Sequence, residues 1–245
     1  MRRFGLIGYP LGHSFSQPFF TEKFKREGIM DCVYQNFPIP EIGALKEVLA
    51  SHADLAGLNV TIPYKEQVIS FLHHMDPVVQ AIGACNCIRI ENGELTGFNT
   101  DVIGFGQSLE EKLQPSHKKA LVLGTGGAAR AVFHVLQQKG IDYKVVSRTP
   151  SGENQISYEE VTPAIVDTYT LIINTTPVGM YPKEDVCPVL PYEAMGAKHY
   201  LFDLVYNPAQ TLFLRKGAEQ GAITKNGMDM LVIQAEESWR IWNAK

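Results

Sequence analysis

Two short stretches of the 245-residue chain are unusually polar for the ends of apolar runs: NVTIPYK, with Asn59, Thr61 and Lys65, and GFNTD, with Asn99, Thr100 and Asp101. Pro63 cannot continue a central ladder, so the chain must leave its sheet there and carry Lys65 past the strand's carboxyl end, where open α/β sheets bind ligands. A lysine facing an aspartate can hand a proton to an oxygen that develops charge, while the carboxylate holds the ammonium in place. Alone, either residue is an ordinary surface charge. A third stretch, GHSFSQPFF from residue 12, follows the first apolar run and carries Ser14 and Ser16 where a turn normally has one polar residue. Helix capping is the simplest use for such hydroxyls.

LVLGTGGAAR places Gly124, Gly126 and Gly127 after a strand and before a helix. This is the context of a dinucleotide fingerprint, in which the backbone approaches a pyrophosphate and the helix start binds it. A tight turn with no ligand would also use those glycines. The next strand, YKVVSRTP, ends on Ser147, Arg148 and Thr149, where an NAD site usually has a carboxylate for the ribose hydroxyls. A cation with hydroxyls suits a 2′-phosphate, and so NADP; otherwise Arg148 is a solvated strand-end arginine. The missing carboxylate also counts against the use of such loops in methyltransferases.

The elements that must position these residues follow from periodicity. Strand-like runs occupy 3–8, 33–39, 57–61 and 85–90, with helical spacing between the first three. Asn92-Gly93 predicts a hairpin turn. A helix over VIGFGQSLEEKL crosses into a second unit, followed by the polar loop QPSHKK. From Ala120 the pattern restarts: strand, glycines, a helix from Ala128 to Gly140, and strand-like runs at 143–148, 170–177 and 200–206. TPSGENQISYEEV is too short and polar for a crossover helix, so the second unit looks trimmed there. Met228, Leu231, Val232, Ala235, Trp239 and Trp242 form an apolar stripe that predicts a closing helix. No internal repeat is visible. The expected fold is α/β in two domains: an N-terminal α/β substrate-binding domain, 1–101 with the closing helix 228–245, and a Rossmann-like dinucleotide-binding domain, 102–227, with the active site in the cleft between them.

Composition bounds the partners. A formal charge of −4 with 45% hydrophobic and 20% charged residues is that of a soluble globular protein with no electrostatic footprint for nucleic acid or anionic membrane. No stretch approaches the roughly 18 apolar residues of a membrane span, and Pro10 arrives too early for a signal peptide. A cytoplasmic protein acting on a small molecule is expected. Cys32, Cys85, Cys87 and Cys187 match no zinc spacing and read as reduced structural thiols. His73-His74, in an amphipathic segment, lacks metal-ligand partners. His13 beside its turn reads as tying down backbone rather than transferring protons.

Nine stretches taken in order resemble the shikimate dehydrogenase family: GHSFS, NVTIPYK, GACNC, NTD, GTGGAAR, SRT, INTTPVGM, DLVYNP and NGMDMLVIQA. The resemblance implies a first domain that binds 3-dehydroshikimate or shikimate, a second that binds NADP, and reversible hydride transfer at the C3 carbonyl or alcohol. Carried over by position, it implies that Ser14 and Ser16 hold the substrate carboxylate, one hydroxyl for each oxygen, with Tyr206 assisting. Thr61, Asn86 and Gln234 would read the ring hydroxyls, and Lys65 and Asp101 would form the catalytic pair. Gly124, Gly126, Gly127 and Ala128 would cradle the pyrophosphate, and Ser147, Arg148 and Thr149 the adenosine phosphate. Thr175, Leu204 and Gly227 would lie near the nicotinamide.

The sequence departs from the family pattern at several points. Gln17 precedes Pro18 where Pro usually follows the second serine directly, and Phe20-Thr21 replaces a His-Asn. Cys85 and Cys87 replace the common Val and Thr around Asn86, which removes a hydroxyl beside the expected ring pocket. Asp229 stands where a second glycine is frequent, and a second basic residue after SRT is missing, leaving the 2′-phosphate mainly to Arg148. Two alternatives stay open: a quinate-accepting or NAD-using relative, and a dinucleotide-bound sensor without turnover, against which Lys65 and Asp101 stand together. A monomer and a homodimer fit equally.

Overall fold

The computed structural model describes residues 1–12 and 14–244; His13, with its expected backbone role, lies outside the described residues. The chain divides into two compact units, one of Met1–Ile103 with Gln234–Lys245 and one of Gly104–Ile233.

In the first unit the chain runs β1 (Arg2–Gly8), α1 (Ser16–Arg26), β2 (Cys32–Pro38), α2 (Leu45–Ser51), β3 (Leu55–Val60), β4 (His74–Met75), α3 (Pro77–Ile82), β5 (Cys87–Glu91), β6 (Glu94–Phe98) and the start of α4 (Thr100–Glu110). The sheet order is β2-β1-β3-β5-β6-β4. β1 pairs in parallel with β2 and β3, and its run Phe4 to Gly8 is buried, as expected of a strand covered on both faces. One face packs Ile7, Phe37, Leu58 and Val60 under α2; the other packs Phe4, Phe20, Phe24, Tyr34 and Trp242. α3 starts with Pro77 behind Asp76, whose carboxylate accepts from the Val78 N–H, and stops at Gly83 in the left-handed region. Asn92 and Gly93, both at positive φ, turn the antiparallel β5–β6 hairpin.

The second unit continues from α4 through β7 (Lys119–Leu123), α5 (Gly127–Gln138), β8 (Asp142–Val146), β9 (Gln155–Ile156), α6 (Pro163–Thr168), β10 (Leu171–Asn174), β11 (Tyr200–Asp203), α7 (Leu212–Glu219), β12 (Ile223–Lys225) and the start of α8 (Met228–Asn243). All its strands are parallel, in the order β12-β11-β10-β7-β8-β9. The order reverses between β7 and β10, the switch point at which doubly wound sheets bind ligands.

Several elements differ from the sequence-based expectation. The strands expected at 170–177 and 200–206 stop at Asn174 and Asp203, because side chains take over the turning backbone. Asn174 Oδ1 accepts the Thr176 N–H, and Asp203 Oδ1 accepts the Val205 N–H. The trimmed segment adds a short parallel strand, β9, with α6 after it rather than a crossover helix before it. His74, in the segment read as amphipathic, belongs to β4, a two-residue edge strand.

Candidate active site

In the first unit, the carboxyl ends of β1 and β3 and the start of α4 carry the polar residues. β3 ends at Val60, whose N–H donates to the Asn86 carbonyl, and the Lys65 carbonyl accepts the Cys85 N–H at 2.7 Å. These bonds fix the segment that presents Lys65 against the one that presents Asn86. Lys65 Nζ reaches Asp101 Oδ2 at 2.6 Å, the carboxylate 3% and the lysine 16% exposed. Asp101 lies in the first turn of α4, where the helix dipole favours its negative charge. Asn99 enters α4 by accepting the Val102 N–H and donating to the Ala84 carbonyl. The pair therefore has an ammonium nearer solvent and a carboxylate behind it, the arrangement that donates a proton and retains the counter-charge.

Asn86 is buried and its amide is fully engaged. Its Oδ1 accepts the Thr100 N–H at 2.7 Å, while its Nδ2 donates to Thr100 Oγ1 at 3.0 Å and to Gln234 Oε1 at 3.1 Å. Accepting through Oε1 leaves the Gln234 Nε2 as the outward donor, with no protein partner among the described residues. Thr61, just beyond β3, is half-buried, its N–H donating to the Ile7 carbonyl. Ser14 Oγ is buried and has no hydrogen-bond partner among the described residues, the state of a donor awaiting an acceptor. Neither serine caps α1: Phe15 occupies the N-cap without a side-chain bond, and Ser16 opens the helix. Tyr34 is buried, and burial pushes the titration of its phenol far upward.

Cys85 and Cys87 are fully buried. Cys85 joins the β1–β3 core, where burial pushes its thiol up to about 12; Cys87, raised likewise, packs with Phe4 and Trp242. They are core thiols, unreactive at neutral pH. All four cysteines are free. Among the described residues no cluster of three or more metal-ligating side chains occurs, and no helix is long and apolar enough to cross a membrane.

In the second unit the glycine turn sits at the switch point. Gly124 has φ +107°, and a Cβ there would lie 2.8 Å from Thr175 Oγ1, so only glycine fits. Thr175 is held against β7, both its N–H and its hydroxyl donating to the Leu123 carbonyl, at 2.9 and 2.7 Å. Gly126 is the N-cap of α5 and offers no side chain to the helix's free N–H groups. A Cβ added there would meet nothing within 4 Å. An open space in front of an uncapped twelve-residue helix fits a pyrophosphate, with Gly127 and Ala128 half-buried in the first turn.

At the end of β8, Ser147 Oγ accepts the Thr149 N–H, and the turn leaves Arg148 and Thr149 exposed. No acidic side chain among the described residues is bonded to Arg148; the phenol of Tyr158 lies near it. Leu204 donates its N–H to the Asn174 carbonyl. Gly227 packs against the Leu204 carbonyl so closely that a Cβ would come within 2.2 Å of its oxygen. Tyr206, half-buried, has its phenol titration pushed up by burial. Asp229 does not stand as a bare charge beside Gly227: it pairs with the buried Lys225 at 2.6 Å, which also binds Glu111.

Sequence reasoning passed over Asp203. This fully buried carboxylate accepts from Asn174 Nδ2 at 2.9 Å, Val205 N–H at 3.0 Å and Thr211 Oγ1 at 2.6 Å, and thereby holds the segments carrying Thr175 and Leu204. Burial raises its pKa to about 6 against those stabilising bonds. An aspartate closing an apolar run was the available signal.

A family model for the shikimate dehydrogenase substrate binding domain matches residues 6–88. The shikimate dehydrogenase (NADP(+)) of Methanosphaera stadtmanae is 35% identical over 98% of this chain and 91% of its own. A crystal structure of a chorismate mutase/shikimate 5-dehydrogenase fusion protein from Clostridium acetobutylicum superposes with a TM-score of 0.89 at 40% identity, covering 99% of this chain and 91% of that one. Shikimate 5-dehydrogenase from Thermus thermophilus, solved with NADP(H) and shikimate, gives 0.87 at 32% identity over 99% and 94% of the two chains.

Proposed function

The chain belongs to the shikimate dehydrogenase family, and from that premise we propose that its first unit binds the substrate, its second binds NADP, and Lys65 with Asp101 performs the proton transfer. It is an NADP-dependent oxidoreductase acting on a CH–OH group, reducing 3-dehydroshikimate reversibly to shikimate. The observation that carries the residue assignment is the 2.6 Å ion pair between Lys65 and the buried Asp101.

Bound NADPH supplies the hydride. Lys65 donates a proton to the oxygen on which charge develops, and takes it back in the reverse direction; Asp101 pairs with the ammonium and aims it. Ser14 and Ser16 are assigned to the substrate carboxylate, supported by the Ser14 hydroxyl, which has no partner among the described residues; the family resemblance adds Tyr206. Gln234 presents an N–H to a ring hydroxyl, Asn86 holds Gln234 in that orientation, and Thr61 offers a further hydroxyl. On the cofactor side the turn Gly124, Gly126, Gly127 and Ala128 takes the pyrophosphate, Ser147, Arg148 and Thr149 the 2′-phosphate, and Thr175, Leu204 and Gly227 flank the nicotinamide half. The reading extends to a cytoplasmic monomer or homodimer, which fractionation and sedimentation test.

Steady-state assays of NADPH consumption with 3-dehydroshikimate, and of NADP and NAD reduction with shikimate and quinate, test the reading. Turnover with 3-dehydroshikimate, and shikimate preferred over quinate, is expected; a protein that binds NADPH without turning over would be the sensor instead.

A further inference from the structure

In the second unit, at the start of α8, one lysine holds two carboxylates. Lys225 ends β12 with its side chain only 6% exposed; its Nζ donates to Glu111, just past α4, and at 2.6 Å to Asp229 in the first turn of α8. A buried ammonium needs a counter-charge, but one carboxylate supplies it. The second leaves an excess of negative charge, so neutrality does not account for Asp229. Its place in the chain does. Lys225 and Asp229 are four residues apart yet do not share a helix: their pair spans the turn from β12 into α8 and depends on the course of residues 226–228. That turn is pressed onto the segment after β11. The Gly227 N–H donates to the Val205 carbonyl at 3.2 Å, and Asn226 donates from Nδ2 to the Ala209 carbonyl at 2.8 Å while its Oδ1 accepts the Met228 N–H. These bonds fix one side of the turn; the ion pair ties the other side, where α8 departs, back to β12. Between the two, Gly227 lies so close to the Leu204 carbonyl that a Cβ has no room.

We propose that Asp229 is a positioning residue for the nicotinamide half of NADP: through Lys225 it closes the turn that sets Gly227 against Leu204. This role rests on the proposed function above, which assigns Leu204 and Gly227 to that half of the cofactor. Asp229 acts through the turn and need not touch the cofactor. Its carboxylate is 57% exposed, so removing it opens no core cavity, and Lys225 keeps Glu111 as its counter-charge. The turn loses its tie while the fold keeps its buried ion pair.

Direct binding separates the two halves of the cofactor without turnover. NADPH fluorescence titrations read the whole cofactor; competition by adenosine 2′,5′-bisphosphate, which has the 2′-phosphate and no nicotinamide, reads the adenosine half. Asp229→Ala is expected to weaken NADPH binding about three- to tenfold and bisphosphate binding by less than about twofold. Asp229→Asn keeps the shape and loses the charge; it should act in the same direction and serves if the alanine variant does not fold. Glu111→Gln removes the other carboxylate, leaves the pair across the turn, and should bind both ligands as wild type does. NADPH affinity unchanged in the Asp229 variants overturns the role. So does an equal loss for NADPH and the bisphosphate, the mark of a general loosening of the unit, or a Glu111→Gln loss equal to that of Asp229→Ala, which would make the cluster's charge the cause. A wild-type protein that fails to turn over 3-dehydroshikimate with NADPH overturns the functional reading and the role with it; wild-type turnover beside unchanged binding in the Asp229 variants removes the role alone.

Discussion

The two units present opposite kinds of polar surface. The first presents side chains whose hydrogen-bonding capacity is largely taken up by one another: Asn86 is saturated by Thr100 and Gln234, Asn59 by Tyr34 and Ser238. The second presents backbone, with Gly126 open to space at an uncapped helix start and Arg148 exposed on a short turn. A hydroxylated ring, on the proposed reading, must be distinguished by the direction of each donor, which requires partners that fix it. A phosphate chain needs many N–H groups and positive charge, which a glycine turn and a surface arginine supply without a supporting network. Substitutions in the first unit should therefore act sharply and on one parameter; those in the second should act on cofactor selection.

The largest effect expected is at the ion pair. Lys65→Ala should lower kcat by about 10²-fold or more, as general acid catalysis is typically worth that much, while substrate still binds measurably. Asp101→Asn should behave similarly. A Lys65→Ala variant retaining more than about a third of wild-type kcat would remove the lysine from the chemistry, because a general acid's contribution is at least about 10²-fold.

Next come the proposed anion contacts of the two units, which sharpen the contrast because they should move different constants. Ser14→Ala and Ser16→Ala should each raise the substrate KM more than they lower kcat, by roughly 1.5–3 kcal/mol per lost charge-assisted bond. The relevant control is the NADPH KM, expected to stay constant. Arg148→Ala should lower NADPH affinity roughly ten- to a hundredfold with NADH nearly unaffected. The ratio of NADPH to NADH efficiency before and after mutation measures this; equal loss with both cofactors would return Arg148 to a solvated strand end.

The smallest effect on activity, read in stability instead, concerns the buried Asp203, the exception to the second unit's reliance on backbone. Its pKa in the folded protein, raised to about 6 by burial, exceeds its unfolded value, so the folded state holds the proton more tightly. The stability it contributes is fully present below about pH 4 and is lost as pH rises through about 6, a change of roughly 2–3 kcal/mol. Asp203→Asn, neutral throughout, should lack this slope. Denaturant titrations of both proteins at several pH values between about 4 and 7.5 measure the difference; a difference that does not vary with pH would place the aspartate's folded pKa near its ordinary value.

Much of this arrangement was legible in the sequence because it rests on local rules. Asn92-Gly93 specifies its hairpin through two positive φ angles, and Gly124 marks the strand-to-helix turn through one. Pro63 forces the chain off its strand before Lys65. The expected strands at 170–177 and 200–206 ran too far because apolar character continues past Asn174 and Asp203, whereas the strands stop where these side chains bond the following backbone. No period in the sequence records such a competition.

What the sequence determined by itself, then, is the set of strands and turns, the kinship carried by nine ordered stretches, and the nomination of Lys65 and Asp101 as the proposed acid and counter-charge. Only the tertiary structure decided which polar groups are already satisfied. Tyr34, Asn59 and Ser238 lie on β2, β3 and α8, up to 204 positions apart in the chain, and become one relay because packing brings their side chains within hydrogen-bond reach in a buried place where unpaired groups are costly. Likewise Cys87, expected beside the ring pocket, is drawn into the core with Phe4 and Trp242, and Asp229, where a second glycine is frequent, is paired by Lys225. Burial and pairing depend on what the rest of the fold places alongside, and local sequence carries no record of it.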